Sequence, residues 1–202
     1  MKVSGLCCRR GERLLIDQLD FEVAAGEILL LRGPNGAGKT TLLLALAGVV
    51  RPEAGSIALT GGEADAGSMS DLHLLGHRAA VKPRLTVAEN LRFWADMNGG
   101  ERALIEPALV AAGLAHAEAL EAGHLSAGQT RRLALARLLV AERPVWLLDE
   151  PTAALDSDGE LLVGRLLDAH LLRGGLVVAA THHDLALRPP VRLRTLTLGV
   201  PA

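Results

Sequence analysis

The chain has 202 residues, which is enough for one well-buried domain but too short for two independent enzymes. Its formal net charge of -2 and its pI near 6.4 argue against nucleic acid as the main partner. Half of the residues are hydrophobic, yet charged residues interrupt every long apolar run before the length of about 20 residues that a membrane span needs. We therefore expect a protein that is soluble or peripheral to a membrane.

The N-terminal segment "MKVSGLCCRRGE" (residues 1–12) has no apolar core ahead of its charges. It is a poor secretory signal, so we expect the protein to stay in the cytoplasm. The two cysteines, Cys7 and Cys8, are adjacent, and this spacing suits neither a structural disulfide nor a zinc site. We expect two small hydrophobic residues in a first strand; a thiol switch is the alternative.

The following segment predicts a strand, a turn at Gly26 and a buried strand "ILLL" that runs into a glycine-rich loop. The run "TTLLLALAGVV" (residues 40–50) is apolar on every side and predicts a buried helix, which "RPEAG" then breaks. Residues 56–75 read as short strands and turns around a polar loop at 61–71. This part of the chain thus predicts a strand, loop and helix unit.

The pattern becomes helical from Thr86 to about Ala141. It opens on a Thr86 cap followed three residues later by Glu89, which is the spacing of a capping box. We therefore expect a helical subdomain at about 86–141, inserted within a single domain that spans residues 1–202.

The C-terminal third predicts a parallel sheet. The apolar strands "VWLLDE" and "GLVVAATHHD" are separated by a helical stretch at 157–172, which is the alternation of parallel strands and crossover helices. The tail "VRLRTLTL" alternates apolar and polar residues and predicts a half-exposed final strand. We expect an α/β fold with a mainly parallel core.

The stretch "GPNGAGKT" fits the phosphate-binding pattern G-x-x-x-x-G-K-[ST] with Gly33, Gly38, Lys39 and Thr40. The glycines let backbone N–H groups curl around phosphate oxygens, Lys39 reaches the β and γ phosphates, and Thr40 binds Mg²⁺. Only three of the 21 basic residues are lysines, and one stands where a compact ammonium is wanted. A structural glycine turn is the alternative.

Asp149 and Glu150 end the apolar strand "VWLLDE". Two acids at the end of a strand are common and carry little meaning alone. After a phosphate-binding loop, Asp149 can hold Mg²⁺ through water, and Glu150 can orient and polarise the attacking water.

The stretch "LSAGQ" contains Ser126 and Gln129 at capping-box spacing before a helix, so capping alone would explain it. However, the order "GPNGAGKT", "LSAGQ", "LLDEPTAALD" and "THHD" resembles the nucleotide-binding subunit of ABC transporters across nearly the whole chain. The resemblance implies a P-loop ATPase of ABC type, with an antiparallel β subdomain beside the parallel core, that binds and hydrolyses ATP with Mg²⁺.

The resemblance also implies a head-to-tail dimer with a second copy of the chain. In such a dimer Ser126, Gly128 and Gln129 cap the γ-phosphate held by the partner's phosphate-binding loop. Asp156 in "AALD" matches the loop that couples the two sites, and His182 matches the γ-phosphate sensor, with His183 as a bystander. The nucleotide-binding loop implied by the family comprises Gly33, Pro34, Asn35, Gly36, Ala37, Gly38, Lys39, Thr40 and Thr41.

Two positions depart from the family's usual pattern. The aromatic residue that stacks on adenine is replaced by Arg10, whose planar guanidinium could stack instead. The glutamine that links Mg²⁺ to the membrane partner should fall nine residues before Thr86, which is His77, and Arg78 is the other candidate.

The chain resembles the CcmA type of ABC subunit, the haem exporter ATP-binding subunits of bacterial cytochrome c maturation. The resemblance rests on the two departures, on the chain length and on the segment "GHRAAVKPRLTVAENLRFW". This resemblance implies a peripheral protein on the cytoplasmic face of the inner membrane, in complex with CcmB- and CcmC-type membrane subunits, whose ATP use frees the haem-loaded chaperone CcmE. No C-x-x-C-H motif is present, so we expect no direct haem binding. An ABC transporter ATPase with another cargo, or a soluble mechanochemical ABC ATPase, is the alternative.

Overall fold

A computed structural model describes residues 1–59 and 71–199. The polar loop predicted at 61–71 lies outside these residues except for Asp71. Within the two ranges the chain forms two β-sheets and five α-helices. The strands are β1 (Lys2–Arg10), β2 (Arg13–Glu22), β3 (Glu27–Arg32), β4 (Ala54–Ala58), β5 (Leu72–Leu75), β6 (Val145–Asp149), β7 (Leu176–Ala180) and β8 (Arg192–Thr197). The helices are α1 (Lys39–Leu46), α2 (Val87–Asn98), α3 (Ile105–Ala111), α4 (Ala127–Ala136) and α5 (Ser157–Leu172).

The central sheet is parallel throughout, in the order β5-β6-β7-β3-β8. Every residue of β6 and β7 is buried, because helices cover both faces of a parallel sheet. The last strand, β8, pairs with β3, which confirms a final strand here. It is more exposed than the half-exposed strand that the sequence predicts, because five of its six residues are exposed. The carboxyl ends of β3, β6 and β7 meet at one edge, which brings the segments that follow them close together.

A separate antiparallel sheet, in the order β2-β1-β4, lies beside this core. Cys7 and Cys8 lie in β1 as expected, and both are free thiols. Cys8 is fully buried opposite Ile16, while Cys7 is partly exposed and its sulfur accepts the Gln18 N–H at 3.3 Å. The mainly parallel core and the antiparallel sheet together confirm the predicted fold class.

Helix α1 is shorter than the apolar run that predicted it. The helix ends at Leu46, and the chain turns at Gly48, whose φ of 70° is left-handed. Val49 then lies 55% exposed, so the last residues of the run do not belong to the buried helix. A glycine just after a helix ends it because glycine adopts the left-handed conformation without a steric penalty.

The helices between β5 and β6 pack around a cluster of their own. Helix α2 begins at the predicted capping box, in which the Thr86 hydroxyl accepts the Glu89 N–H at 3.2 Å and the Glu89 carboxylate accepts the Thr86 N–H at 2.8 Å. The bond from the Thr86 N–H, and after it the bond from the Thr86 side chain, lowers the pKa of Glu89. Buried apolar residues of α2, α3 and α4 form one core cluster, while α1 packs on one face of the parallel sheet and α5 on the other.

Candidate functional site

A cavity of about 450 Å³ opens at the carboxyl ends of β3 and β6 and takes in the segment after β7. This is the edge of an open α/β sheet where ligands generally bind. It collects the predicted phosphate-binding loop, both acids of "VWLLDE" and the first histidine of "THHD". Its lining residues are Arg10, Leu15, Asn35, Gly36, Gly38, Lys39, Thr40, Thr41, His77, Asp149, Glu150, Ala153 and His182.

The glycine-rich loop connects β3 to the start of α1. The φ of Gly33 is 135°, and a side chain there would clash with the carbonyl oxygen of Leu198, so the loop's path requires glycine. Gly38 precedes α1 in a left-handed conformation with a φ of 100°. The first N–H groups of α1 therefore open onto the cavity at the positive end of the helix, which suits a phosphate.

The Lys39 ammonium lies inside the loop. Its Nζ donates to the carbonyl oxygens of Gly33 at 2.7 Å and Pro34 at 3.1 Å, and it lies 3.3 Å from His182 Nε2. Of the predicted loop residues, Gly33, Pro34 and Ala37 do not line the cavity and instead shape the loop behind it. The others of the set face the cavity, so most of the predicted nucleotide-binding residues lie together.

Thr40 and Asp149 meet at the base of the cavity. The Thr40 hydroxyl donates to Asp149 Oδ2 at 2.9 Å, and Asp149 is 5% exposed. A hydroxyl beside a carboxylate oxygen is a hard oxygen donor pair of the kind that Mg²⁺ binds together with water and substrate phosphates. The residues present therefore fit the magnesium that the sequence implies.

Glu150 follows β6 in an unusual backbone conformation. Its φ is 49°, in the left-handed region that non-glycine residues rarely adopt. Its N–H donates to the Ala180 carbonyl at 2.7 Å, and its carboxylate oxygen Oε1 lies 3.7 Å from His182 Nε2. Strained backbone of this kind is concentrated at functional sites, and here it accompanies a carboxylate at the cavity wall.

His182 bridges the two sides of the cavity. Its Nε2 lies 3.2 Å from Asn35 Oδ1, and its backbone N–H points to Glu150 Oε2 at 3.4 Å. His183, the next residue, is exposed and does not line the cavity.

The two departures from the family pattern fall at the same cavity. Arg10 ends β1 and lines it, so a guanidinium is available on the side of the antiparallel sheet. His77 also lines the cavity, whereas its alternative Arg78 does not. Leu15 and Ala153 line it as well. Sequence reasoning missed Leu15 because it belongs to no motif, and it gave no role to Ala153 although this residue lies within "LLDEPTAALD".

A second concave surface, of about 410 Å³, surrounds the start of α4. The capping box forms as its spacing predicts, with Ser126 Oγ accepting the Gln129 N–H at 3.2 Å and Gln129 Oε1 accepting the Ser126 N–H at 2.9 Å. Because the hydroxyl accepts in this box, its own proton stays available to another acceptor. The described residues that line this surface are Gly113, Leu114, His116, Ser126, Gly128, Gln129, Arg132, Ala154 and Asp156.

Asp156 joins the second surface as the N-cap of α5. Its Oδ1 accepts the Gly159 N–H at 2.9 Å and the Arg132 guanidinium at 3.1 Å. The Gly159 bond, followed by the Arg132 bond, lowers the pKa of Asp156. The sequence missed Arg132, whose pairing with Asp156 depends on the packing of α4 against the turn before α5. Among the described residues, none lines both the first cavity and this second surface.

No helix within the described residues is both long and apolar enough to cross a membrane.

Comparison with known proteins identifies the family. Residues 16–153 match the family model of the ABC transporter. The chain is 55% identical over 183 residues to the cytochrome c biogenesis ATP-binding export protein CcmA of Rhodopseudomonas palustris strain HaA2, covering 91% of this chain and 92% of the relative. It is 52% identical over 189 residues to the protein of the same name from Bradyrhizobium diazoefficiens, covering 93% and 94%.

Solved structures agree on the fold. A putative ABC transporter ATP-binding protein from Pyrococcus furiosus superposes with a TM-score of 0.82 at 23% identity, covering 96% of each chain. A dimeric ATP-binding cassette in a post-hydrolysis state, bound to ADP and Pi, superposes with a TM-score of 0.78 at 25% identity, covering 90% of this chain and 88% of that one. This chain therefore belongs to the ABC transporter family of ATP-binding proteins and, within it, to the CcmA type.

Proposed function

We propose that this chain is the ATP-hydrolysing subunit of an ABC transporter complex for cytochrome c maturation, in which hydrolysis drives haem export or the release of a haem-loaded chaperone. The name and 55% identity of the Rhodopseudomonas relative support this cargo, as does coverage of nearly the whole length of both chains. An ABC transporter with another cargo stays the alternative, because specificity in such complexes resides in the membrane subunits.

One observation carries the chemistry: Lys39, the Thr40–Asp149 pair and the Glu150–His182 pair converge on one cavity at the end of the sheet. Lys39 would leave its loop carbonyls to bind the β and γ phosphates of ATP. Glu150 would orient and polarise the attacking water, and His182 would hold the γ-phosphate at its Nε2. Mg²⁺, held by Thr40 and through water by Asp149, would neutralise phosphate charge.

The second surface would complete the site of another copy. The start of α4 offers the Ser126 hydroxyl and free backbone N–H groups, which form an anion site. Because this surface shares no described lining residue with the first cavity, one chain alone would offer two separate half-sites. A head-to-tail dimer would place each half against its complement, with Asp156 between them. The similar ATP-binding cassette bound to ADP and Pi is dimeric, which supports dimerisation.

The proposed complex also contains integral membrane subunits of the CcmB and CcmC type. The chain would sit against them on the cytoplasmic face of the bacterial inner membrane, as a peripheral protein without a haem site of its own. His77 lines the nucleotide cavity at the start of the segment that joins β5 to the helical region, so it would link nucleotide state to these partners.

A complementation experiment tests the proposed cargo. A strain that lacks this gene receives either the native chain or Glu150→Gln, and holo-cytochrome c is measured by haem staining. Restoration by the native chain alone, together with co-purification of CcmB- and CcmC-type proteins from membranes, is expected. Normal cytochrome c in the strain without the gene would refute the cargo while leaving the ATPase assignment intact.

A further inference from the structure

Arg131 is a buried arginine in the second turn of α4. Only 4% of its surface is exposed, although it stands in a helix whose next residue, Arg132, is paired near the surface. All four hydrogen bonds recorded for its guanidinium within the described residues end on backbone carbonyl oxygens. A buried guanidinium that donates to backbone carbonyls, and not to a carboxylate, holds the backbone segments of its acceptors in place. It does so because its N–H donors point in fixed directions within one plane.

The acceptors belong to two segments of the nucleotide cavity. Arg131 Nη1 donates to the Gly76 carbonyl at 3.0 Å, directly before His77. Nη2 donates to the carbonyls of Asp149, at 2.7 Å, and Glu150, and Nε donates to Pro151 at 3.2 Å. One side chain thus joins α4 to the strand end that carries both acids and to the loop that carries His77.

The bond to the Glu150 carbonyl coincides with the strained point of the backbone. Glu150 has a φ of 49°. Such a conformation costs on the order of 1–3 kcal/mol and persists only where the surrounding contacts hold it. Three bonds hold the Glu150 peptide groups: the Glu150 N–H donates to Ala180, and the Glu150 carbonyl accepts both the Ala153 N–H and Arg131. Arg131 is the one side chain among these partners, and it comes from α4.

The charge of Arg131 also acts on the site. Burial lowers the pKa of the guanidinium, while the carboxylates of Asp149 and Glu150 raise it. Arginine stays protonated in proteins, so a fixed positive charge lies behind the two carboxylates.

We propose that Arg131 is a positioning residue for ATP hydrolysis. It holds the turn that carries Glu150 in a fixed position relative to α4 and to the loop before His77. This inference rests on the proposed role of Glu150 as the residue that orients the attacking water. Ser126, the N-cap of α4, lies on the second surface. A displacement of α4 by a nucleotide bound there would therefore be transmitted through Arg131 to the chain's own Glu150.

Arg137, the residue that caps the C-terminal end of α4, provides a matched control. It is 6% exposed and donates to the carbonyls of Leu74 and Ala79, so it too is a buried arginine that anchors backbone on both sides of His77. Its recorded bonds do not reach residues 149–151. Arg131→Lys and Arg137→Lys therefore each remove a buried guanidinium, one within α4 and one at its C-cap. They differ in whether the turn of Glu150 loses a hydrogen bond.

The experiment measures Mg·ATP affinity by equilibrium titration, thermal stability, and kcat per nucleotide-binding site for both lysine variants. We expect Arg131→Lys to lower kcat at least about 10-fold, with affinity within about threefold, because a small displacement of a catalytic group has a large kinetic effect. Arg137→Lys should lower thermal stability but keep kcat within about threefold of the native chain. Arg131→Gln, which retains two donors on a shorter side chain, is measured alongside as a second variant.

Glu150→Gln in the same assay separates the two claims. If Glu150→Gln keeps its turnover, the proposed role of Glu150 is wrong. If Glu150→Gln loses turnover while a folded Arg131 variant keeps it, only the present inference is overturned. Equal kcat losses in Arg131→Lys and Arg137→Lys would also overturn it, as would failure of both Arg131 variants to fold, since Arg131 would then serve stability alone.

Discussion

Acidification should destabilise the fold through a buried histidine in β5. His73 is 6% exposed, and its Nε2 lies 2.8 Å from the Ala141 carbonyl. Burial lowers its pKa from 6.5 to about 4; the Ala141 bond opposes this shift, and the charges of Arg143 and Arg137 add to it. The folded state thus keeps the imidazole neutral at a pH where the unfolded chain is already protonated.

The direction follows from proton linkage. Because the pKa of His73 is lower in the folded state, its contribution to the free energy of unfolding is fully present above pH 6.5. That contribution is lost as the pH falls toward 4. A shift of this size corresponds to about 3 kcal/mol at 1.4 kcal/mol per pKa unit, of which about 2 kcal/mol is lost between pH 6.5 and 5. His170, which stacks on Trp146 with ring centroids 3.9 Å apart, changes in the same direction, since burial lowers its pKa to about 4.

Urea unfolding followed by circular dichroism at several pH values between 7.5 and 5 would measure this loss. In His73→Gln, which cannot take up the proton, the slope of unfolding free energy against pH should fall by up to about 1.4 kcal/mol per pH unit. His124→Gln, at an exposed histidine, is the control and should keep the native slope. An unchanged slope in His73→Gln would refute the reasoning.

Three further predictions concern the nucleotide. Lys39→Ala should largely abolish ATP binding in equilibrium titration, because the ammonium that faces the phosphates is lost, whereas Lys82→Ala, at a lysine over the Phe93 ring, should bind normally. Glu150→Gln should keep Mg·ATP affinity, lower turnover by about 10²–10⁴-fold and accumulate an ATP-dependent dimer on size-exclusion chromatography; near-normal turnover would contradict its role. Ser126→Asp preserves an N-cap but places a negative charge against the partner's phosphate, so it should bind ATP normally yet fail to dimerise; an unimpaired dimer would count against the second surface.

Most of the polar residues that line the first cavity could be chosen from the sequence, because the motifs that contain them determine the local backbone. The glycines at 33 and 38 specify a loop that only glycine fits, and acids after an apolar strand must lie at the carboxyl edge of the sheet. The capping boxes at Thr86 and Ser126 could also be predicted from the sequence, since their hydrogen bonds join residues only three positions apart.

Features that depend on tertiary packing could not be predicted from the sequence. Nothing in the sequence distinguishes Arg131 from its neighbour Arg132. Arg131 is buried against carbonyl oxygens up to 55 residues away in sequence, while Arg132 pairs with Asp156. The end of α1 was missed because the apolar run continues past the glycine that ends the helix. The burial of His73 could not be predicted either, because its hydrogen-bond partner Ala141 lies 68 residues away in sequence and reaches β5 only in the folded chain.

ATP turnover of a mixture of two inactive variants tests most directly whether the site is shared between two copies. Lys39→Ala lacks the phosphate-binding lysine, and Ser126→Asp lacks a working second surface. In a head-to-tail heterodimer one composite site carries both defects and the other carries neither. Neither variant should form an ATP-dependent dimer with itself, so the dimers in an equal mixture should be mixed ones. Such a mixture should therefore recover up to about half of native turnover, because each mixed dimer has one intact site of two. Turnover no higher than that of either variant alone would contradict the account.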